Sequence, residues 1–370
     1  CGSCKPHQHC DAKTGTCGPC PARKRSSTSS PSKGASWRYG GGHGYPDTVD
    51  PKAPCTVQVG STAALAKQLK AARAGMTIYV KDGATLDLTG KSLCVPAGVW
   101  LAGGRGRGAL PGAILFTTKT TKTPILKACG KGVRITGLRI WGADATTCPP
   151  SYYTKTCSGT YNSAHCRDCE PASYGVVVSS ASAGAELEID NCELAGWSFA
   201  ATSFSTGQGN KVHHNHLHHT QRMGLGYGVV LGGTKSTVKV LIEGNRFERY
   251  RHAVAASGAA GQEYEARNNL SGPETIGHVY DMHGLNEHLH NGTPVAGKRI
   301  LIHGNSIFAS SHHSFVLRGR PTVGAWYYSA AASGPWKKLN SSSYTLSKLT
   351  LADVDGDGKT DVVVSGANAW

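Results

Sequence analysis

The chain has 370 residues, thirteen cysteines and a formal net charge of +16. Glycine is abundant at 48 residues and charged residues make up only 17%, a balance typical of turn-rich all-β proteins. No apolar run is long enough to span a membrane, and the basic residues are too scattered for a nucleic-acid-binding module. The composition therefore argues against membrane and nucleic-acid partners. The positive charge favours an anionic polysaccharide, with solubility or wall adhesion as the alternative.

Residues 1–20 carry closely spaced cysteines: Cys1, Cys4, Cys10, Cys17 and Cys20. This density predicts a small disulfide module and an oxidising compartment, and hence a secreted, extracellular protein. A zinc site that uses His7 and His9 is the alternative. Residues 21–54 are rich in Ser, Pro and basic residues and have no apolar periodicity. They predict a linker and lead-in to the next domain.

The next domain, residues 55–322, opens with the one amphipathic helix that the sequence predicts. Residues 62–74 place Leu65, Leu69 and Ala72 on one helical face. Short apolar and β-branched segments follow, and each ends in a glycine-rich turn. Such segments predict a succession of short strands.

From about residue 185 a repeat becomes visible. One asparagine follows a short strand in each copy, namely Asn191, Asn215, Asn245, Asn269 and Asn305. A second strand follows each asparagine by roughly a dozen residues. A recurring unit of this size is typical of a solenoid, in which stacked copies share one core and equivalent asparagines form a hydrogen-bonded ladder.

Residues 77–118 read TIYVKDGATLDLTGKSLCVPAGVWLAGGRGRGALPGAILFTT. This stretch resembles the opening coils of pectate-lyase-like, right-handed parallel β-helices with an N-terminal capping helix. The resemblance covers about residues 57–320 and implies an all-β, right-handed parallel β-helix solenoid. Lyases, hydrolases, epimerases and adhesins share this architecture, so the resemblance does not identify a substrate.

The C-terminal segment, residues 323–370, contains DVDGDGKTD and resembles one FG-GAP/VCBS repeat, the blade unit of integrin-like propellers. The resemblance implies a Ca²⁺ site with carboxylate ligands Asp353, Asp355, Asp357 and Asp361. One blade cannot close a propeller, so we expect the natural protein to continue beyond Trp370. With the cysteine module, this segment is a candidate attachment to cell wall or matrix.

Polar residues interrupt the strand-like stretch HVYDMHG at 278–284. Alignment of the second strands of the repeat by their ends places His252 level with His278, and Asp281 level with Ala255. Neighbouring strands lie about 4.8 Å apart, so we expect one polar patch. Its predicted catalytic residues are Arg251, His252, Tyr264, Arg267, Asp281 and His283. Its predicted substrate-binding residues are His278, Tyr280, His288, Arg318 and Arg320.

This set of residue types matches the chemistry of β-elimination from a uronate chain. Arg251, Arg267 or Arg318 would neutralise the substrate carboxylate and so acidify the C5 proton. His252 or His283 would take that proton, and Tyr264 or Tyr280 would protonate the leaving oxygen. Asp281 would orient a histidine and set its tautomer.

Three alternatives remain open on the sequence alone. A divalent metal could bind Asp281 and His283 with His252 or His288 as a third ligand. A glycoside hydrolase would need two carboxylates, for which Asp281 with Glu265 or Glu287 are the candidates. The chain could also be a non-catalytic wall-binding protein.

Two further stretches attract attention. In HHNHLHH at 213–219, Asn215 and Leu217 are predicted to face the interior and the histidines to be exposed beside the groove. An insertion at 143–173 interrupts the repeat, and its tyrosines are candidates to line a sugar subsite. It carries Cys148, Cys157, Cys166 and Cys169. These cysteines predict disulfides, with a zinc knuckle as the alternative.

Overall fold

The computed structural model describes most of the chain between residues 36 and 323, together with short terminal strands. The described residues are 8–10, 17–20, 36–143, 172–182, 184–222, 224–233, 237–284, 289–290, 293–308, 314–319, 321–323, 326–328, 337–340, 349–352 and 361–364. The predicted ligands Asp353, Asp355 and Asp357, the insertion's cysteines, His288 and Arg320 lie outside them. Asp361 begins the strand Asp361–Val364, and its side chain is outside the described part.

Three parallel sheets form the body of the protein, and the chain visits them in turn to make successive coils. Sheet 1 consists of Thr56–Val59, Thr77–Val80, Trp100–Ala102, Val133–Thr136, Leu187–Asp190, Gly207–His213, Thr237–Glu243, Gly261–Arg267 and Arg299–His303. Sheet 2 consists of Thr85–Asp87, Ile114–Phe116, Arg139–Trp141, Glu193–Ala195, His216–Thr220, Arg246–Tyr250, Leu270–Ser271 and Ser306–Ile307. Sheet 3 consists of Leu93–Val95, Leu126–Ala128, Tyr174–Val178, Ala200–Phe204, Tyr227–Leu231, His252–Ala256, Tyr280–Met282 and Phe315–Leu317. The fold is a parallel β-helix, as the sequence predicts.

The interior of the β-helix is a single apolar column. Side chains from all three sheets, such as Ile135, Leu194 and Val254, are fully buried in one continuous cluster. Because side chains alternate between the two faces of a strand, residues between these positions point outward. Val254 and Ala256 lie in the interior cluster, while Ala255 belongs to a separate small cluster on the outer side of sheet 3. Each coil therefore adds one layer to a shared core.

The predicted asparagine ladder lies at the turn between sheets 1 and 2. The backbone N and Nδ2 of Asn215 both donate to Oδ1 of Asn245, at 3.0 and 3.1 Å. Asn245 donates in the same way to Asn269, and Asn269 to Asn305. These amides satisfy buried backbone groups that apolar side chains would leave unpaired.

Asn191 is not a member of this ladder, so the prediction is wrong at that position. It has a φ of 51°, like His214 and Asn268 (both 52°), which precede ladder residues. The backbone N of Cys192 donates to Oδ1 of Asn215 at 2.9 Å, so Cys192 occupies the ladder position. Cys192 is a free, buried cysteine. Matching the segments by residue type misaligns this coil by one position.

The predicted helix spans Thr62–Ala71. Ser61 provides its N-cap, since the Ser61 hydroxyl accepts a hydrogen bond from the backbone N of Ala64 at 3.2 Å. Leu65 and Leu69 are buried in the interior cluster, as the helical periodicity predicts. The helix thereby packs against the first coil.

Residues 36–54, within the predicted linker, form a segment that lies across the outer face of sheet 1. Gly40 donates to the carbonyl of Gly244 at 2.9 Å, and Gly42 donates to Oδ1 of Asn191 at 2.8 Å. Gly41 has a φ of 65°, and a Cβ there would meet the carbonyl oxygen of His214 at 2.4 Å. Glycine is thus required where this segment approaches the sheet.

Covalent links and short antiparallel pairs complete the described structure. Disulfides join Cys20 to Cys55 and Cys94 to Cys129, which is consistent with an oxidising compartment. Antiparallel pairs form between Gln8–Cys10 and Cys17–Pro19, Leu289–His290 and Thr293–Pro294, Trp326–Tyr328 and Lys337–Asn340, and Leu349–Ala352 and Asp361–Val364. Among the described residues, no helix is long and apolar enough to cross a membrane.

Candidate active site on the third sheet

The last coils of sheet 3 assemble the predicted polar patch. Tyr280–Met282 pairs with His252–Ala256 on one side and with Phe315–Leu317 on the other. Ala255 lies beside Asp281 in this register, which confirms the predicted alignment of the two strands. Hydrogen bonds from the backbone N of His283 to Ala256 (2.9 Å) and from Arg318 to Met282 (3.0 Å) extend the pairing by one residue.

Asp281 is the centre of a cluster that we call the Asp281 cluster: His252, His278, Asp281, His283 and Arg318. The Oδ2 atom of Asp281 accepts from Nη2 of Arg318 at 2.8 Å. It lies 3.2 Å from Nε2 of His283 and 3.5 Å from Nε2 of His252. Arg318 and His283 are 32% and 19% exposed, whereas Asp281 is 0% exposed. The cluster therefore places a buried carboxylate beneath two groups that solvent reaches.

The Asp281 carboxyl is held in its ionised form. Burial acts to raise its pKa, but the hydrogen bond with His283 and the positive charge of Arg318 act against that effect, and the pKa is lowered. Only one of its oxygens is fully used: Oδ1 is buried and has no hydrogen-bond partner among the described residues. This carboxylate retains an acceptor that its surroundings do not satisfy.

His252 lies behind the carboxylate rather than at the surface. It is 1% exposed, and its Nδ1 lies 2.5 Å from the carbonyl oxygen of His278. Since a carbonyl only accepts, Nδ1 must carry a proton. Burial and the nearby Arg251 lower the pKa of His252 to about 3, although Asp281 and the His278 carbonyl oppose the shift. His252 is therefore neutral near pH 7, and its ring stacks on His278 with centroids 5.6 Å apart.

The structure places three of the predicted residues, Tyr264, Tyr280 and Arg267, away from this cluster. Tyr264 and Tyr280 are buried in the apolar interior, and burial raises the pKa of both phenols. Arg267 lies on sheet 1, where it pairs with Glu243 and Glu265, each at 2.9 Å. Alternation along a strand does not show which set of residues faces inward. The prediction for the two tyrosines is wrong for this reason.

Arg251 lies at the edge of the cluster. Its Nη1 donates to the carbonyl of Leu225 at 3.4 Å, and its guanidinium carbon lies 6.0 Å from the centre of the Tyr227 ring. The residue is half-buried, and among the described residues the ion pairs of Asp281 are with His252, His283 and Arg318 rather than with Arg251. It forms the boundary between the Asp281 cluster and the outer face of the preceding coils.

Sheet 1 holds a second polar cluster, which is not among the residues predicted from the sequence. Asp190 is completely buried, and both of its oxygens accept from Arg134 at 2.8 and 2.6 Å. Tyr45 and Thr136 each donate to Oδ2 at 3.0 Å. Asp190 is the last residue of the strand Leu187–Asp190, just before the ladder turn. This position in the repeat was the only signal in the sequence that could have pointed to it. Its partner Tyr45 comes from the N-terminal segment, which no repeat pattern covers.

A metal centre fits neither cluster well. Among the described residues, the one group with three ligand atoms within 4.8 Å of one another is Glu188, Asp190 and His213. Its atoms already have partners: Arg134 neutralises Asp190, and Nε2 of His213 lies 2.8 Å from Glu188. In the described part of the chain, Asp281, His283 and His252 do not bring three ligand atoms this close together. To bind Glu188, Asp190 and His213, a divalent ion would have to displace the buried Arg134 from Asp190.

The HHNHLHH stretch is more buried than predicted. Asn215 and Leu217 are buried, as expected. His213 is also buried, and the remaining histidines are half-buried rather than exposed. His216 lies 2.7 Å from Glu248, and the Nε2 atom of His219 accepts from Arg249 at 3.0 Å. These side chains belong to ion-pair and hydrogen-bond networks outside the Asp281 cluster.

Comparisons with known proteins give distant structural likenesses. No protein-family model matches the chain, and no curated protein matches it. An alginate lyase from a Paenibacillus species is 14% identical, with a TM-score of 0.41, over 70% of this chain and 97% of that one. Two structures of pectin methylesterase with bound hexasaccharides are 12% identical, with TM-scores of 0.39, over 70% of this chain and 92% of theirs. At such values the fold assignment rests on this chain's own sheets.

Proposed function

We propose that the protein is a secreted carbohydrate-active enzyme that cleaves an acidic, uronate-containing polysaccharide by β-elimination. One observation carries the proposal: a buried, ionised carboxylate holds a histidine and an arginine together at the outer surface of a long parallel sheet. Perturbed titratable groups that converge at a surface are candidates for chemistry. The groups present supply a base and a cation, which are two requirements of the reaction.

The surrounding surface has a shape and charge that suit a polymer. Sheet 3 has eight described strands, which at about 4.8 Å per strand extend for roughly 34 Å. The net charge of +16 favours an anionic chain over a neutral one. A polysaccharide lying along the sheet would cross the Asp281 cluster at one end.

Arg318 is the group proposed to bind the uronate carboxylate. A guanidinium has five donors, one of which is used on Asp281. At 32% exposure, other donors of Arg318 can meet a ligand. Pairing of the substrate carboxylate with a cation withdraws charge from the adjacent carbon and so acidifies its C5 proton.

His283 is proposed as the base. If its Nε2 donates to Asp281, Nδ1 is the basic atom of the ring, and Asp281 holds that tautomer in place. Nδ1 would take the C5 proton while the C–H electrons form the C4=C5 double bond and the C4–O bond breaks. The imidazolium would then return this proton to the leaving oxygen. Neither Tyr264 nor Tyr280 can act as the acid, because both lie in the interior.

His252 has a supporting role in this proposal. Because it is buried and neutral, a polymer cannot reach it, and the role of base passes to His283. Its ring fills the space behind Asp281 and limits the approach of water. Calcium binding by the C-terminal repeat and attachment to wall or matrix remain proposals that rest on the sequence.

A hydrolase receives less support from the described residues. Glu265, one proposed partner of Asp281, lies on sheet 1 and is held by Arg267 and His303. The other, Glu287, lies outside the described part of the chain. A paired-carboxylate mechanism needs both groups across one bond.

The direct test is a product screen over acidic and neutral polysaccharides. β-Elimination leaves a conjugated, unsaturated uronate end that absorbs ultraviolet light, whereas hydrolysis leaves a reducing end without it. We expect absorbance to rise with at least one acidic polysaccharide and with no neutral one. Reducing ends without absorbance would indicate a hydrolase, and no product from any polymer would indicate a binding protein.

The matched variants are His283→Ala and His43→Ala. Loss of the base should lower kcat about 10²- to 10⁴-fold, with little change in Tm because His283 is partly exposed. His43 is exposed on the N-terminal segment, so its removal should leave activity unchanged. Full activity in a folded His283→Ala protein would refute the assignment.

A further inference from the structure

A row of aromatic rings runs along sheet 3 and ends at the Asp281 cluster. Tyr174 and Phe199 have ring centroids 4.4 Å apart, and Phe199 and Tyr227 have centroids 5.4 Å apart. Tyr227 stacks on His252 at 5.7 Å with an interplanar angle of 11°. Tyr174, Tyr227 and His252 lie on the third, fifth and sixth strands of sheet 3, and Phe199 directly precedes the fourth. One aromatic ring therefore follows another from coil to coil.

This row lies on the outer side of the sheet. Tyr227, Ala200, Val230 and Ala255 form a small apolar cluster that is separate from the interior column, and Phe199 and Leu225 pack against it. Alternate residues of the same strands, such as Val229 and Val254, belong to the interior. The outer cluster is not needed to fill the core of the β-helix.

Part of this apolar surface is open. Tyr174, Phe199 and Leu225 are half-buried, whereas Tyr227 is 7% exposed and supports them. Half-exposed aromatic and aliphatic groups in one continuous patch are typical of binding surfaces. Arg251 lies beside the patch, with its guanidinium carbon 6.0 Å from the Tyr227 ring.

The patch is continuous with the proposed reaction site. Tyr227 pairs in register with His252, and His252 lies 3.5 Å from Asp281. From the strand of Tyr174 to that of Asp281 there are four inter-strand steps, or roughly 19 Å. A chain of several sugars could thus contact the patch while one of its units lies over His283 and Arg318.

We propose that Tyr174, Phe199 and Leu225, with Arg251 at their edge, form a subsite for unreacted sugars of the same acidic chain. This inference rests on the proposed function and extends it from the reacting bond to the remote part of the substrate. The ring faces pack against the C–H faces of pyranose units. Arg251 pairs with a uronate carboxylate between the patch and the Asp281 cluster.

The occupant is a saccharide rather than an apolar peptide because the patch adjoins cationic groups. Arg251 borders the rings, and Arg318 lies beyond it in the cluster. Apolar faces next to fixed cations match a polymer with C–H surfaces and regularly spaced carboxylates. Binding energy from such a remote region favours long substrates over short ones.

The test measures how affinity depends on chain length. Oligogalacturonates and oligomannuronates from disaccharide to hexasaccharide are titrated calorimetrically into the His283→Ala protein, which preserves the bound chain. We expect Phe199→Ala and Tyr174→Ala to weaken hexasaccharide binding about tenfold and to leave disaccharide binding at the reaction site unchanged. Phe308→Ala is the matched control, since Phe308 is 62% exposed on the last coil of sheet 2.

A second variant separates recognition from folding. Phe199→Leu retains apolar volume against Tyr227 and Ala200 but removes the ring face. We expect an unchanged Tm and the same loss of hexasaccharide affinity as in Phe199→Ala. Unchanged hexasaccharide affinity in both Phe199 variants, with an active wild-type enzyme, would overturn the subsite alone. Failure of the wild-type protein to bind or cleave any acidic saccharide would overturn the subsite and the proposed function together.

Discussion

Two faces of the β-helix each hold a buried aspartate paired with an arginine, yet the pairs are built differently. On sheet 1, both oxygens of Asp190 accept hydrogen bonds, and Arg134 is 2% exposed. On sheet 3, Asp281 uses mainly one oxygen, and Arg318 is 32% exposed. This difference supports a structural role for the Asp190 pair and the reactive role that we propose for the Asp281 pair. The first pair satisfies both carboxylate oxygens, and the second leaves Oδ1 of its aspartate without a hydrogen-bond partner among the described residues.

The covering of the two faces explains this contrast. The N-terminal segment crosses sheet 1 and contributes Tyr45 and Asp47, which bond to Asp190 and Arg134 respectively. It thereby covers the Asp190–Arg134 pair on that face and adds hydrogen bonds to both residues. The Asp281 cluster instead retains His283 and Arg318 at the surface. We therefore propose that a substrate approaches the Asp281 cluster rather than the Asp190 pair.

The largest expected effect is on activity. Asp281→Asn removes the charge that orients His283 and Arg318, so we expect kcat/KM to fall about 10²- to 10⁴-fold. Asp190→Asn should leave kcat/KM nearly unchanged in protein that remains folded. Steady-state kinetics on the polymer found in the product screen would measure both. Equal loss in the two variants would remove the distinction between the faces.

The next largest effect is on stability, and we expect it at the sheet 1 pair rather than at the Asp281 cluster. Asp190→Asn leaves the guanidinium of Arg134 buried with only Asp47 to balance it, and should lower the free energy of unfolding by about 3–5 kcal/mol. The exposed pair of Arg107 and Asp82 provides the control. Asp82→Asn should cost less than about 1 kcal/mol. Denaturant unfolding would measure both, and similar values would contradict a structural role for the sheet 1 pair.

The smallest effect concerns acid sensitivity beside the sheet 1 network. His214 packs between Trp37 and Tyr45, and burial, followed by the neighbouring His213, lowers its pKa to about 4. Below pH ~6.5 the His214 side chain binds a proton in the unfolded chain but stays neutral in the folded protein until the pH approaches 4. Its contribution to stability is therefore fully present above that pH and decreases as the pH falls toward 4.

His214→Asn tests this linkage without backbone strain, because Asn191 and Asn268 occupy equivalent turn positions with positive φ. The loss of unfolding free energy between pH 7 and pH 4 should shrink by about 1–2 kcal/mol. Chemical denaturation at both pH values would measure it. An unchanged loss would mean that other groups dominate the acid response.

Much of the third sheet was predictable because a solenoid repeats its geometry. The alignment of His252 with His278 and of Asp281 with Ala255 is correct, since parallel strands in successive coils keep one register. The ladder of Asn215, Asn245 and Asn269 is also correct. The misalignment at Asn191 occurs because a cysteine occupies the ladder position in that coil. Residue type indicated the repeat but not its phase in every copy.

The sequence could not predict which side chains of a strand point into the core. In a strand as short as Tyr280–Met282, the pattern YDM does not show whether Tyr280 or Asp281 faces the core. Packing decides it: Tyr280 and Met282 join the interior cluster. The sequence analysis likewise misplaced Arg267, which ends a strand of sheet 1 and is separated from sheet 3 by the sheet 2 strand Leu270–Ser271. Proximity along the repeat does not imply proximity in space.

The sequence by itself determined the β-helix, the short helix at its start, the register of the last coils and the set of polar residues at 278–283. These features follow from local periodicity and from the repeat, because the position of one strand in a coil predicts the position of the equivalent strand in the next coil. Only the tertiary structure decided that His252 is buried, that His283 and Arg318 are accessible, and that the N-terminal segment closes sheet 1. Burial and hydrogen bonding depend on contacts between distant segments, and a pattern of residue types does not encode which of them meet.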